Sequence, residues 1–277
     1  DRAETLTAIL DAGPHGGSHG HLDKLGLYLY GDGVAWQPAP GVPPYGSPLR
    51  RGYYSRTQAH PTVRVDDQDQ QPTTGTVDLL ELDPAGGVDR VLAGSGAALD
   101  GAHATRELVQ TATYLLDVVT VRVTEPSTSG GKHRGDAAPG PGAPTGGPLD
   151  RDLTLALRPA VPLEIRATDG GWRTLWHGPE GRELHGVHRA TTASALVARP
   201  GRGPSDDPAA LRTVGDWTVR GSSACFVSVY CVGAARVADV ELLTSAQDGT
   251  SDGSGSALLG VRIHLTDGTT TEHEVAR

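Results

Sequence analysis

Apolar residues along this chain recur mainly at every second position, in short runs broken by glycine and proline. The stretch Lys24–Tyr30 sets Leu25, Leu27 and Leu29 against Gly26, Tyr28 and Tyr30, and Thr62–Val65 repeats the alternation. A period of two belongs to a strand with one face on a core. Further runs predict strands at Thr5–Leu10, Val34–Gln37, Val77–Leu82, Val88–Ala93, Ala112–Val123, Leu153–Leu157, Leu163–Ala167, Trp172–Trp176, Ala224–Val232, Val237–Thr244, Leu258–Leu265 and Thr269–Val275. The Val- and Leu-rich run at 112–123 predicts the best-buried strand. Gly31-Asp32-Gly33 and Asp267-Gly268 are hairpin signals. No segment carries a long 3.6-residue period with caps. The pattern predicts an all-β fold, one large antiparallel β-sandwich of two sheets with long Gly/Pro-rich loops at 38–45, 124–148 and 199–207.

Composition supports this and narrows the function. The chain has 277 residues, with 38 glycines and 20 prolines, which suits many short strands joined by turns. We read residues 1–277 as one domain with a flexible insertion at 124–148. With 33 acidic against 24 basic residues the net charge is -9, which argues against nucleic acid as a partner. No apolar run is long enough to predict a membrane-spanning helix. The chain lacks methionine and opens on Asp1, so it is expected to be a segment of something longer. Cys225 and Cys231 fall in one predicted strand, roughly 20 Å apart, beyond disulfide reach; they are expected to be buried thiols.

The candidate chemistry lies in Gly13–Lys24, which holds His15, His19, His21, Asp23 and Lys24 separated mainly by glycine. Glycine permits close backbone approach, so the run suits a tight loop that presents imidazoles at the mouth of a sheet. No acidic residue falls between Asp32 and Asp66, while Arg50, Arg51, Arg56 and Arg64 do. In an acidic chain that is a locally positive surface, and it points to an anionic substrate. The cluster Asp66–Gln71 reads as a solvated loop. The histidines at 103, 133, 177, 185, 188, 264 and 273 read as ordinary polar residues without partners.

Gly17-Ser-His-Gly-His-Leu-Asp-Lys-Leu25, Pro40-Gly-Val-Pro-Pro-Tyr-Gly46 and Thr57-Gln-Ala-His-Pro-Thr-Val-Arg-Val-Asp66 together resemble the start of the C-terminal β-sandwich of heparinase II/III-like polysaccharide lyases. The resemblance is strong over about the first seventy residues. It implies a supersandwich-like fold, and a parent enzyme in which an N-terminal helical toroid, absent from this chain, forms the other wall of the cleft. It further implies His19 at the catalytic cleft, Tyr45 near a second tyrosine of related lyases, and His21 and His60 as zinc ligands. Lys24, Arg50, Arg51 and Arg56 are the candidate substrate-binding residues. The chain departs from the family at Ala39, where an aspartate commonly completes the metal site, and at Pro61, where an asparagine is usual. Asp23, His15 or Asp66 could replace the missing ligand.

Two readings follow. In the first, the parent cleaves uronic-acid-containing polysaccharide by β-elimination, and this chain alone is inactive. In the second, the chain is a non-catalytic carbohydrate-binding or structural sandwich, a reading that Ala39 favours. A glycoside hydrolase ranks below both, because no pair of carboxylates shares a comparable loop. The implied setting is the bacterial cell envelope or an exported protein, with the cytoplasm as the alternative.

Overall fold

In the computed structural model the described residues are 6–83, 87–124, 149–245 and 257–276. The insertion predicted at 124–148 lies, beyond Thr124, outside them. Strands dominate, and the only helical segments among the described residues are single turns.

The central sheet has eight antiparallel strands. From edge to edge they are Leu163–Thr168, Gly171–His177, Glu183–Ala190, Ser223–Val232, Leu115–Val123, Ala102–Gln110, Asp89–Gly94 and Thr76–Glu81. Its two middle strands are buried on both faces. Leu115, Val119 and Val121 face one way; Leu116 and Val118 face the other. This explains why the run at 224–232 is apolar without alternation, and why it, rather than the run at 112–123, is the best-buried strand.

A four-stranded sheet, Ser194–Arg202, Leu211–Gly221, Arg151–Leu157 and Val63–Val65, packs on one face and completes the sandwich. Val63, Leu153, Leu155 and Trp217 meet Val119, Val121 and Phe226 there. Beside it, Leu6–Leu10, Leu27–Gly31 and Val34–Gln37 form a three-stranded sheet whose Leu27, Leu29 and Trp36 pack on Leu108, Leu115 and Tyr230. Val237–Thr244, Leu258–Leu265 and Thr270–Glu274 cover the opposite face through Val240, Val261 and Ile263.

The predicted hairpin forms at Asp32-Gly33, both at positive φ, 50° and 73°. Four strands escaped the sequence reading: 102–110, 183–190, 194–202 and 211–221. Their apolar residues are interrupted by His, Arg, Pro and Gly, and the loop expected at 199–207 is strand as far as Arg202. Cys225 and Cys231 are buried free thiols, and burial pushes them up to about 12 and about 11. No helix among the described residues is long and apolar enough to cross a membrane.

Candidate functional site

The histidine-rich stretch leaves the first strand of the small sheet at Leu10 and returns to it at Leu27, so its loop closes over the end of that sheet. Within it Gly17–His19 makes one tight turn. Gly20 is required there: a Cβ would lie 1.7 Å from the His15 carbonyl oxygen. The loop ends at Leu25, a buried residue held at φ 62°.

Two groups of side chains result. The outer group is exposed. The Tyr45 hydroxyl lies 3.3 Å from His19 Nδ1, with the rings edge to face at 5.9 Å. Tyr45 is 76% exposed, and the Arg50 guanidinium sits over its ring, 4.2 Å from the centroid. A cavity of about 250 Å³ opens beside this pair, between Gly17–His21 and the residues Arg50, Arg51 and Ser55. Arg50 and Arg51 lie on a single wide helical turn, Arg50–Tyr54. Neither makes an ion pair among the described residues.

The inner group is His21, Asp23 and His60, whose ligand-type atoms all lie within 4.8 Å of one another. His60 is fully buried. Its Nε2 donates to the Tyr54 carbonyl at 2.9 Å, which fixes the tautomer and leaves the Nδ1 lone pair toward the Tyr28 hydroxyl at 3.2 Å and Asp23 Oδ2 at 3.7 Å. Burial, then the neighbouring His21, lowers the His60 pKa to about 3, so the ring is neutral. Burial lowers His21 as well. The Tyr28 hydroxyl donates to Asp23 Oδ2 at 2.8 Å. Two neutral imidazoles and a carboxylate form a donor set suited to zinc.

Of the three substitutes weighed for the missing ligand, only Asp23 joins the cluster. The His15 ring turns to the His21 carbonyl, and Asp66 is pinned by Arg151. Ala39 lines a separate, smaller cavity with Tyr53 and Arg158.

The other candidates have charged partners of their own. Lys24, expected at the substrate, is 3% exposed and turns inward to Asp11 at 3.1 Å and Asp23 at 3.7 Å. Arg56 is neutralised by Asp69 at 2.6 Å, and Arg64 faces Asp67 and Asp216. Of the four arginines in this window, Arg50 and Arg51 are the two without an acidic partner among the described residues. The supposed solvated loop at 66–71 buries Gln70, whose amide accepts from Lys24 N at 2.8 Å and donates to the carbonyls of Lys24 and Val63. His188, read as a bystander, is fully buried between Thr174 and Ser228, at 2.8 and 2.9 Å. His273 bonds the Tyr114 hydroxyl at 2.6 Å, and His177 and His185 also have partners; His133 lies outside the described residues. Tyr28, Tyr54 and Gln70, which hold the inner cluster, were missed. Tyr28 sat on the polar phase of its strand, a signal that it did not belong to the main core.

Fold and site together define an antiparallel β-sandwich domain with a histidine-rich loop over one sheet end. The chain belongs to the heparinase II/III-like C-terminal family, whose profile matches residues 2–195. No curated protein sequence matches it. Among solved structures, a heparinase III with methylated lysines superposes with a TM-score of 0.71 at 13% identity, covering 98% of this chain and 38% of the other. The heparan sulfate lyase HepC from Pedobacter heparinus gives 0.69 at 15% identity, covering 98% and 39%. The chain thus spans about two fifths of the length of these structures.

Proposed function

We propose that this chain forms one wall of the cleft of a lyase that cleaves uronic-acid-containing polysaccharide by β-elimination. A helical domain supplies the opposite wall. The observation that carries the reading is the exposed Tyr45–His19 contact, 3.3 Å long, at the edge of a cavity faced by Arg50 and Arg51. β-Elimination removes the proton next to a carboxylate and protonates the departing oxygen. Arg50 and Arg51 supply the positive charge that neutralises the substrate carboxylate as negative charge develops beside it. His19 and Tyr45 are hydrogen-bonded proton carriers, and one of them handles a proton on this face.

His21, Asp23 and His60 would hold zinc. The ion would supply local positive charge and tie the loop to the Thr57–His60 segment. Tyr28 and Gln70 hold that segment, through the Tyr28 hydroxyl 3.2 Å from His60 Nδ1 and the Gln70 backbone N–H donating to Thr57 Oγ1 at 2.8 Å. Asp23 beside His21 and His60 favours this reading over the non-catalytic one, which rested on the lost ligand at Ala39.

The test is ultraviolet absorbance from the unsaturated uronate product, measured with the intact parent on heparan sulfate and other uronic acid polymers. Activity in the parent and none in this chain alone is expected. A parent inert on every such polymer overturns the reading.

A further inference from the structure

Beneath the inner cluster lies an ion pair that the chemistry above does not use. Arg106, on strand 102–110, is 2% exposed, and Asp117, on strand 115–123, is fully buried. The contact is bidentate: Arg106 Nε donates to Asp117 Oδ1 at 2.7 Å and Nη2 to Oδ2 at 2.6 Å. The remaining terminal nitrogen, Nη1, leaves the central sheet. It donates to the Leu25 carbonyl at 2.7 Å and the Pro61 carbonyl at 3.1 Å.

Those two carbonyls have particular places. Pro61 directly follows His60, and Leu25 lies two residues after Asp23. One nitrogen therefore bonds both chain segments that carry the inner cluster. Leu25 also holds the left-handed conformation, which persists only where the surroundings enforce it. Its amide donates to the Asp11 carbonyl at 2.7 Å, and the Pro61 carbonyl also accepts from the Leu27 amide at 3.1 Å. The planar guanidinium, anchored on a carboxylate with fixed orientation, has little freedom to move.

We propose that Arg106, oriented by Asp117, is a positioning residue that sets the separation of Asp23 from His60, and so the affinity of the cluster for zinc. This rests on the zinc reading above. Outer-shell residues of this kind change metal affinity about 10- to 100-fold.

A single substitution would strand a buried charge, so the test replaces both partners. Arg106→Met combined with Asp117→Leu substitutes an apolar pair for the ionic one and is expected to fold. Zinc affinity is measured by chelator competition, together with thermal midpoint and amide hydrogen exchange in the zinc-free protein. The double variant should bind zinc about 10- to 100-fold more weakly and lose exchange protection at the Leu25 and Leu27 amides, while the sandwich amides keep theirs. Arg90→Met with Glu107→Leu, which removes the ion pair on the other face of the same strand, should leave zinc affinity unchanged. Equal zinc affinity in the Arg106 variant and the wild type, or equal losses in both double variants, overturns the proposal. If the wild type binds no zinc, the zinc reading fails by itself. Exchange then decides: intact protection at Leu25 and Leu27 overturns the positioning role. If the double variant does not fold, Arg106→Lys keeps the charge, cannot keep the fork, and is held to the same two measurements.

Discussion

The His60 ring donates Nε2–H to the carbonyl of Tyr54, six residues before it, at 2.9 Å. That bond assigns the ring's two nitrogens: one is spent on the backbone, and the other keeps its lone pair toward Asp23 and the Tyr28 hydroxyl, 3.2 Å away. Purified protein is accordingly expected to carry near-stoichiometric zinc by elemental analysis. Asp23→Asn and His60→Ala should each release it. Chelation should lower thermal stability, since a ligand held at 100 times its Kd stabilises by about 2.7 kcal/mol. Protein without metal, and with no stabilisation on adding zinc, would leave these residues a purely hydrogen-bonding role.

His19→Ala and Tyr45→Phe in the intact parent are expected to lower turnover by about 100-fold or more, the usual worth of a positioned proton carrier. Both side chains are exposed, so the thermal midpoint should stay within the small range of surface substitutions. Full turnover in either variant would remove that residue from the mechanism.

Arg50→Ala and Arg56→Ala separate two cations that lie close in sequence. Arg50 has no acidic partner among the described residues, whereas Arg56 is matched with Asp69. The first substitution should raise KM for an anionic polymer several-fold, and the effect should shrink as salt screens it. The second should leave KM nearly unchanged. Equal effects would return the whole arginine window to the substrate.

Gln70→Leu should destabilise the fold by about 3 kcal/mol in urea unfolding. It strips a partner from the Lys24 amide and from the Val63 carbonyl, while the Lys24 carbonyl keeps the Thr62 hydroxyl; each unmet group costs about 1–3 kcal/mol. A loss below about 1 kcal/mol would mean that water replaces the amide.

Stability should fall as the solution is acidified, and His188 should account for part of the slope. Burial lowers its pKa to about 3, below the usual 6.5 for histidine. Above pH 6.5 the ring is neutral in both folded and unfolded chains, and its contribution is fully present. Between about 6.5 and 3 only the unfolded chain takes up the proton, which costs roughly 1.4 kcal/mol per pH unit. His188→Gln should flatten the slope in that window. An unchanged slope would show that His188 is protonated where it lies.

The sheet order could not be read from the sequence, but most of the strands could, because alternation survives wherever one face meets solvent or a neighbouring layer. The strand at 183–190 was hidden because His185, Gly186, His188 and Arg189 broke its apolar phase; the His188 ring is in fact buried in a polar pocket of the core. The outer site was legible as a cluster of histidine and glycine beside unpaired arginine. Its support was not. Gln70 and Arg106 act through side-chain hydrogen bonds to backbone elsewhere in the chain, and a glutamine or arginine in a strand or polar turn carries no local mark of such bonds. The inward turn of Lys24 was equally hidden: adjacency to the motif suggested contact with substrate, and its pairing with Asp11 and Asp23 has no mark in the sequence.

Tyr54, whose carbonyl steadies His60, is itself moored from far along the chain: its hydroxyl donates to the carbonyl of Gly203 at 2.9 Å, 149 residues later. The family profile ends at residue 195, short of that anchor and of both strands that run from Leu211 to Val232. Excising the domain at the profile boundary would cut through the strand at 194–202 and remove a middle strand of the central sheet. The smallest piece that could be transplanted with its histidines in register is therefore longer than the profile match, and must reach at least Val232.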